Sequence, residues 1–190
     1  MHIDVISAPL DVFWPGVFAM GLGGLIRPPK GIPGLVDWRL GGKLSKMILE
    51  GKLTGESGES TMVWSEKRQS KLYIIGLGKR MPLSADITRN MATLLVKRLI
   101  LACEKRVLLL PDSILHGPGG KGAEGAFLEG ILAAIKETGR DCSNYHLIIP
   151  EVEKEALKIH EGFRKAILRV GMDAEGIHLS MIDSHLALQH

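Results

Sequence analysis

Short runs of apolar residues alternate along this 190-residue chain with longer stretches in which apolar positions recur every three or four residues. The first pattern predicts strands and the second helices, and their alternation predicts an α/β layered fold rather than a bundle or a β-sandwich. Residues 71–75, 106–110 and 145–149 are nearly continuous apolar runs, as strands covered on both faces must be, and are placed as central, parallel strands. Residues 177–181 alternate instead, with Ile177, Leu179 and Met181 on one side, and are read as a strand near an edge with one solvated face. Residues 2–7, 17–22 and 61–65 are further strand candidates, so the sheet is expected to be mixed and mostly parallel.

Four helices are readable between the strands. Asp37 is positioned to cap a helix whose Leu40, Leu44, Met47 and Ile48 fall on one stripe, with Gly51 as its stop. Gly41 and Gly42 would then lie inside that helix at a cost of about 1 kcal/mol each relative to alanine, offset by close packing on the sheet. Ser84 caps a second helix with Ile87, Met91, Leu95 and Leu99 at helical spacing. A third starts near Gly122, turns Phe127, Leu128, Ile131, Leu132 and Ile135 inward, and ends at Gly139. The fourth follows Pro150, buries Val152, Ala156, Ile159, Phe163, Ile167 and Val170, and gathers Glu151, Glu153 and Glu155 at its positive N-terminal end. With no internal repeat and no low-complexity segment, residues 1–190 are read as one domain, large enough to bury a full core without disulfide or metal staples.

Composition removes several classes of function. A formal charge of +3, from 24 basic and 21 acidic residues spread along the chain, provides no field for capturing nucleic acid or an anionic membrane. The longest apolar run, residues 17–26, is glycine-rich and shorter than the roughly 20 residues a spanning helix needs, and no basic-then-apolar leader precedes it. A soluble, cytoplasmic protein is expected. Cys103 and Cys142 lie far apart without C-x-x-C spacing and are read as free, mostly buried thiols.

Two glycine-rich loops are candidate anion or phosphate sites. Gly117-Pro-Gly119-Gly120-Lys121-Gly122 matches G-x-G-x-x-G between a strand and a helix, where backbone N–H groups and Lys121 would face a phosphate. Six residues separate it from the preceding strand and Pro118 removes one donor, so a surface loop is the competing reading. Gly76-Leu-Gly78-Lys79 follows another strand, at the carboxyl edge where α/β folds take ligands, and its competing reading is a tight chain reversal. Neither is a Walker A motif, because G-x-x-x-x-G-K-[ST] fails at Lys43, Lys79 and Lys121. The seven histidines form no H-E-x-x-H motif, and no G-x-S-x-G elbow occurs. Trp14, Trp38 and Trp64 stand singly among apolar neighbours and read as core or interface anchors.

Three blocks carry a resemblance: Gly31-Ile-Pro-Gly-Leu-Val-Asp37-Trp-Arg-Leu-Gly-Gly-Lys-Leu-Ser45, then Gly51-Lys-Leu-Thr-Gly-Glu56-Ser-Gly-Glu59, then Leu72-Tyr-Ile-Ile-Gly-Leu-Gly78. Together they resemble the N-terminal, non-catalytic domain of the leucyl aminopeptidase (M17) family. The resemblance is strongest over residues 32–79 and continues more loosely through the order of strands and helices. It implies a macro-domain-like, three-layer α/β/α sandwich, and a chain that stops where the catalytic domain would begin. Asp173-Ala-Glu175-Gly176 echoes the N-T-D-A-E-G-R stretch of that catalytic domain but lacks its Asn-Thr and Arg, and two carboxylates do not make a two-metal site. The resemblance therefore implies no enzyme activity, no metal and no cofactor. It leaves two expectations: a module that associates with itself or with a peptidase-like protein, and a macro-type binder of ADP-ribose or a related nucleotide. The N-A-A-N and G-[IV]-[FY]-G stretches of ADP-ribose binders are absent, which favours the first.

Overall fold

The computed structural model describes residues 1–8, 16–24, 28–79, 84–110, 123–151, 153–171 and 176–183. The strands are β1 (His2–Ser7), β2 (Val17–Gly23), β3 (Ser60–Ser65), β4 (Ser70–Gly78), β5 (Arg106–Leu110), β6 (His146–Glu151) and β7 (His178–Asp183). The helices are α1 (Gly31–Arg39), α2 (Lys43–Leu49), α3 (Ala85–Leu101), α4 (Ala123–Thr138) and α5 (Glu153–Val170). One sheet runs in the order β3-β4-β2-β5-β6-β1-β7, and every pairing is parallel except the antiparallel β3–β4 edge. This is the mixed, mostly parallel layered sheet that the periodicity implies, and the three-layer sandwich that the resemblance implies.

The continuous apolar strands are explained by what lies on each side of them. Val107 and Leu109 of β5 join a core beneath α3, α4 and α5 that includes Leu95, Phe127, Ile131 and Phe163. Leu108 and Leu110 point the other way, into a second core with Phe18, Met20, Val36, Leu44, Ile48 and Ile74 under α1 and α2. Successive strand side chains face opposite sides, so only a strand covered by helices on both can be apolar at every position. β7 lies at the edge, and its Leu179 and Met181 reach the first core as partly buried residues, in accord with its alternating pattern.

The structure corrects the sequence reading in four places. The stretch predicted as one helix capped by Asp37 is two, α1 and α2, joined through Gly41 and Gly42 at φ 68° and 77°. A Cβ at either glycine would meet nothing within 4 Å, so their role is the left-handed turn and not close packing on the sheet. Pro150 and Glu151 belong to β6, which leaves Glu151 off the start of α5. Cys103 is exposed at a positive φ of 57°, whereas Cys142 is buried. Of the tryptophans read as core or interface anchors, Trp38 is 72% exposed and so lies outside the core. Val152 and Trp14 lie outside the described residues.

Candidate functional site at the carboxyl ends of the strands

β2 and β4 lie side by side and both end in glycine: Gly21, Gly23 and Gly24 on one strand, Gly76 and Gly78 on the other. The missing side chains make room for another segment. Gly55-Glu56-Ser57-Gly58-Glu59 folds over these ends, so that a Cβ on Gly76 would lie 1.9 Å from the Glu56 carbonyl oxygen. Gly55 itself adopts φ 72°, and its own Cβ would come within 2.9 Å of the Leu22 oxygen. The backbone closes the contact: the Gly76 N–H donates to Glu59 O at 2.8 Å, Gly78 N–H to Gly55 O at 2.8 Å, and Gly24 N–H to Gly78 O at 3.1 Å. Glu59 fastens the turn from its other side. Its carboxylate accepts from the Gly55 N–H at 2.6 Å, the Thr54 N–H at 3.0 Å and the Thr54 hydroxyl at 2.8 Å.

The Gly-Glu-x-Gly-Glu block is thus a lid of backbone laid on two glycine-ended strands. The amides of Gly76 and Gly78 are already committed to that lid, and Lys79 is exposed just beyond it. Of the phosphate-loop candidates, Gly76, Gly78 and Lys79 therefore sit together at the end of β4. Gly117, Gly119, Gly120, Lys121 and Gly122 lie outside the described residues, as do Asp173 and Glu175. Among the described residues, no three His, Cys, Asp or Glu side chains are grouped so as to hold a metal ion.

The second motif block does different work. Asp37 is buried within α1, and its carboxylate accepts from the Leu44 N–H at 2.7 Å, the Ser45 N–H at 3.1 Å and the Ser45 hydroxyl at 2.5 Å. It caps α2 from the preceding helix, because the residue at the capping position, Gly42, has no side chain to do so. The seven-residue α2 is too short to persist alone. This cap, with burial of Leu44 and Ile48, holds it on the sheet. The clasp presents Trp38 outward with the Arg39 guanidinium 5.2 Å from its ring centroid, a cation–π distance. Lys43 Nζ reaches across to donate to the Trp64 carbonyl oxygen of β3 at 2.5 Å.

Exposed apolar side chains concentrate on these same elements: Leu35 and Trp38 on α1, Leu49 on α2, and Met62 and Trp64 on β3. Elsewhere among the described residues only Leu101, Leu157 and Leu168 are large, apolar and exposed. The predicted stripe of Leu40, Leu44, Met47 and Ile48 does pack on the second core, and of the residues left outside it the sequence reading singled out only the tryptophans, as core or interface anchors.

Sequence reading missed a histidine stack at the opposite, amino end of the sheet. His2 lies 4.4 Å from His146 and 4.9 Å from His178, ring centroid to centroid, since the parallel register sets residues 146, 2 and 178 side by side. Asp4 accepts from the Ser180 hydroxyl at 2.7 Å and lies 3.0 Å from His146 Nδ1. Burial, and then the neighbouring His146 and His178, push the His2 pKa below its usual value. No local sequence signal could reveal a stack in which His2 lies more than a hundred residues from both of its neighbours.

A mixed sheet sandwiched between helices, with glycines at the carboxyl ends of β2 and β4, gives the chain a macro-type α/β fold. A structure of the tomato leucine aminopeptidase superposes with a TM-score of 0.62 at 14% identity, over 84% of this chain and 34% of that one. The Oceanobacillus iheyensis macrodomain matches at 0.65 as a point mutant, with 13% identity over 89% of this chain and 93% of that one. Its form with ADP matches at 0.60, with 14% identity over 82% and 85%. The chain thus spans about a third of the length of the aminopeptidase it resembles. No curated protein sequence matches it significantly. The family model "Cytosol aminopeptidase family, N-terminal domain" matches residues 27–136, more than half of the chain, and the chain belongs to that family. Among the described residues no helix is long and apolar enough to cross a membrane.

Proposed function

We propose that this chain is a non-catalytic interaction module that docks on protein, either a second copy of itself or a peptidase-like partner, through the surface formed by α1, α2 and β3. One observation carries the reading. Trp38 and Leu49 on α1 and α2, and Met62 and Trp64 on the edge strand β3, stand out of the fold, and Trp38, within the family motif itself, is 72% exposed. Solvent-facing tryptophan and leucine are what protein interfaces use as anchors, whereas a free-standing domain gains nothing by exposing them. The same motif spends its polar residues, Asp37 and Glu59, on holding backbone in place, which leaves neither as a candidate for chemistry.

The test is the mass of the assembly. The tagged chain is isolated from its native cells and weighed by light scattering. A complex heavier than the 20.7 kDa monomer is expected, and Trp38→Ala or Leu49→Ser dissolves it while the melting temperature stays close to that of the parent. A strictly monomeric, partnerless protein contradicts the proposal.

A second reading draws on the likeness to a macrodomain carrying ADP. In it, ADP-ribose or a related nucleotide binds at the carboxyl ends of the strands beside Lys79, with the glycine-rich sequence 117–122 as the other candidate for its phosphates. It requires a rise in melting temperature with ADP-ribose that weakens in Lys121→Ala, and no shift at millimolar ligand removes it. Commitment of the Gly76 and Gly78 amides to the Gly55–Glu59 turn places it second.

A further inference from the structure

The histidine stack joins three neighbouring strands, and the parallel register extends its row to Arg106 of β5, the partner of His146. Residues in register project on the same face, so Arg106, His146, His2 and His178 share one side of the sheet. His2 is half-buried, and the other three are exposed. Two residues further along β1, Asp4 supplies a carboxylate to this face. It lies 3.0 Å from His146 Nδ1 and accepts from the Ser180 hydroxyl at 2.7 Å.

Among the described residues, the titratable and charged groups around His2 are His146 from β6, His178 from β7, and Asp4 and the N-terminal ammonium from β1, with Arg106 of β5 next in the row. The ammonium donates to the Gly176 carbonyl oxygen at 2.6 Å and is offset by Asp141. With neutral imidazoles, the row is a set of flat ring contacts across three strands. Once protonated, the same rings place like charges 4.4 and 4.9 Å apart, centroid to centroid. Asp4 compensates them unevenly: it contacts the ring of His146 on β6, but on β7 it meets the uncharged Ser180 hydroxyl. The repulsion between His2 and His178 therefore acts across the β1–β7 pairing.

β7 is also the strand least able to resist it. β6 is paired on both sides, and its Leu147, Ile148 and Ile149 are buried. β7 is paired to β1 alone, and its Leu179, Met181 and Ile182 are only partly buried. Segments with little buried apolar surface open before the rest of a fold. We propose that the stack is an acid-sensitive latch: protonation of the imidazoles releases the edge strand β7 from β1 while the remaining sheet stays paired. Release frees the outer edge of β1, on the far side of the sheet from β3, so the latch is independent of the docking surface. The open form binds more protons than the closed one, because His2 and His178 no longer face each other. Opening is thus favoured as pH falls below about 6.5. Burial, and then His146 and His178, already hold the His2 pKa below its usual value, in the direction the latch requires. One imidazole kept neutral when closed and titrating normally when open raises the opening constant about thirty-fold between pH 7.5 and pH 5.0.

The experiment is amide hydrogen exchange on the full chain at pH 7.5 and pH 5.0, read by mass spectrometry and corrected for intrinsic exchange rates. The opening constant of residues 178–183 is expected to rise about ten-fold or more at pH 5.0, while those of β2, β4 and β5 change by less than about two-fold. In the double variant His2→Gln, His178→Gln the rise in β7 should shrink to less than about two-fold. Should that variant fail to fold, His178→Gln decides alone and is expected to hold the rise below about three-fold. Equal protection of β7 at the two pH values overturns the proposal. A loss of protection shared by the whole sheet is general acid unfolding, and it overturns the proposal as well. A rise undiminished in the variants gives the pH dependence to groups other than the stack and does the same.

Discussion

Asp37→Ala removes the one side chain that caps α2. Three donors lose their acceptor: the Leu44 N–H at 2.7 Å, the Ser45 N–H at 3.1 Å and the Ser45 hydroxyl at 2.5 Å. Loss of an ordinary helix cap costs about 1 kcal/mol, and a hydrogen bond to a charged acceptor contributes about 1.5–3 kcal/mol. The three bonds share one carboxylate and do not add. Ser45 is only half-buried, so water can replace part of what it loses, whereas Leu44 is fully buried and its N–H is left unpaired. A loss of about 2–4 kcal/mol follows, or about 5–15 °C in melting temperature for a domain of this size. Urea unfolding followed by circular dichroism measures it, with an unchanged m-value showing that the denatured state is not what moved. Asp37→Asn keeps one acceptor oxygen and should fall between the parent and Ala. The reasoning is refuted if Asp37→Ala stays within about 0.5 kcal/mol of the parent, below any helix-cap loss.

Gly76→Ala and Gly42→Ala separate two uses of glycine. The first drives a Cβ to 1.9 Å from the backbone oxygen of Glu56 and should cost at least about 3 kcal/mol, while the second has open space at φ 77° and should cost about 1–2 kcal/mol in chemical denaturation. His2 has a folded pKa lowered from 6.5, so the unfolded chain binds more protons. This contribution is complete above about pH 6.5 and is lost as pH falls below that value, and His2→Gln should flatten the melting temperature on the acid side of pH 6.5. The chain has two tyrosines, and both are held protonated beyond their usual range: Tyr73 at about 12 by burial and the adjacent Glu104, and Tyr145 by burial first. Ultraviolet titration of the folded protein should show no phenolate step at pH 10, and such a step in full would contradict the Glu104 contact at 3.0 Å.

The layered fold was legible because each strand advertises its burial. Leu108 and Leu109 are both apolar since helices lie above and below them, and Leu179 and Met181 of β7 pack on the first core while His178 between Ile177 and Leu179 is exposed. The clasp at Asp37 was half legible. The sequence showed a capping residue and a pair of glycines, but a helix that caps its neighbour looks, in one dimension, like a single helix capping itself. Gly76 looked like a loop donor because sequence cannot show that another segment has already claimed its amide. The exposed edge of β3 and the histidine stack depend on which strands become neighbours, and that is decided by contacts between distant parts of the chain.

The central claim is that the working surface is the α1, α2 and β3 side and not the glycine crest, and amide hydrogen exchange reads both at once. Exchange is compared between the dissociated chain, the isolated assembly, and the chain with millimolar ADP-ribose. Slowed exchange within residues 31–65 in the assembly, with no change on adding ADP-ribose, is the expected result. Protection confined to the ends of β4 and the start of α4 on adding ADP-ribose, with residues 31–65 unaltered in any complex, would contradict it.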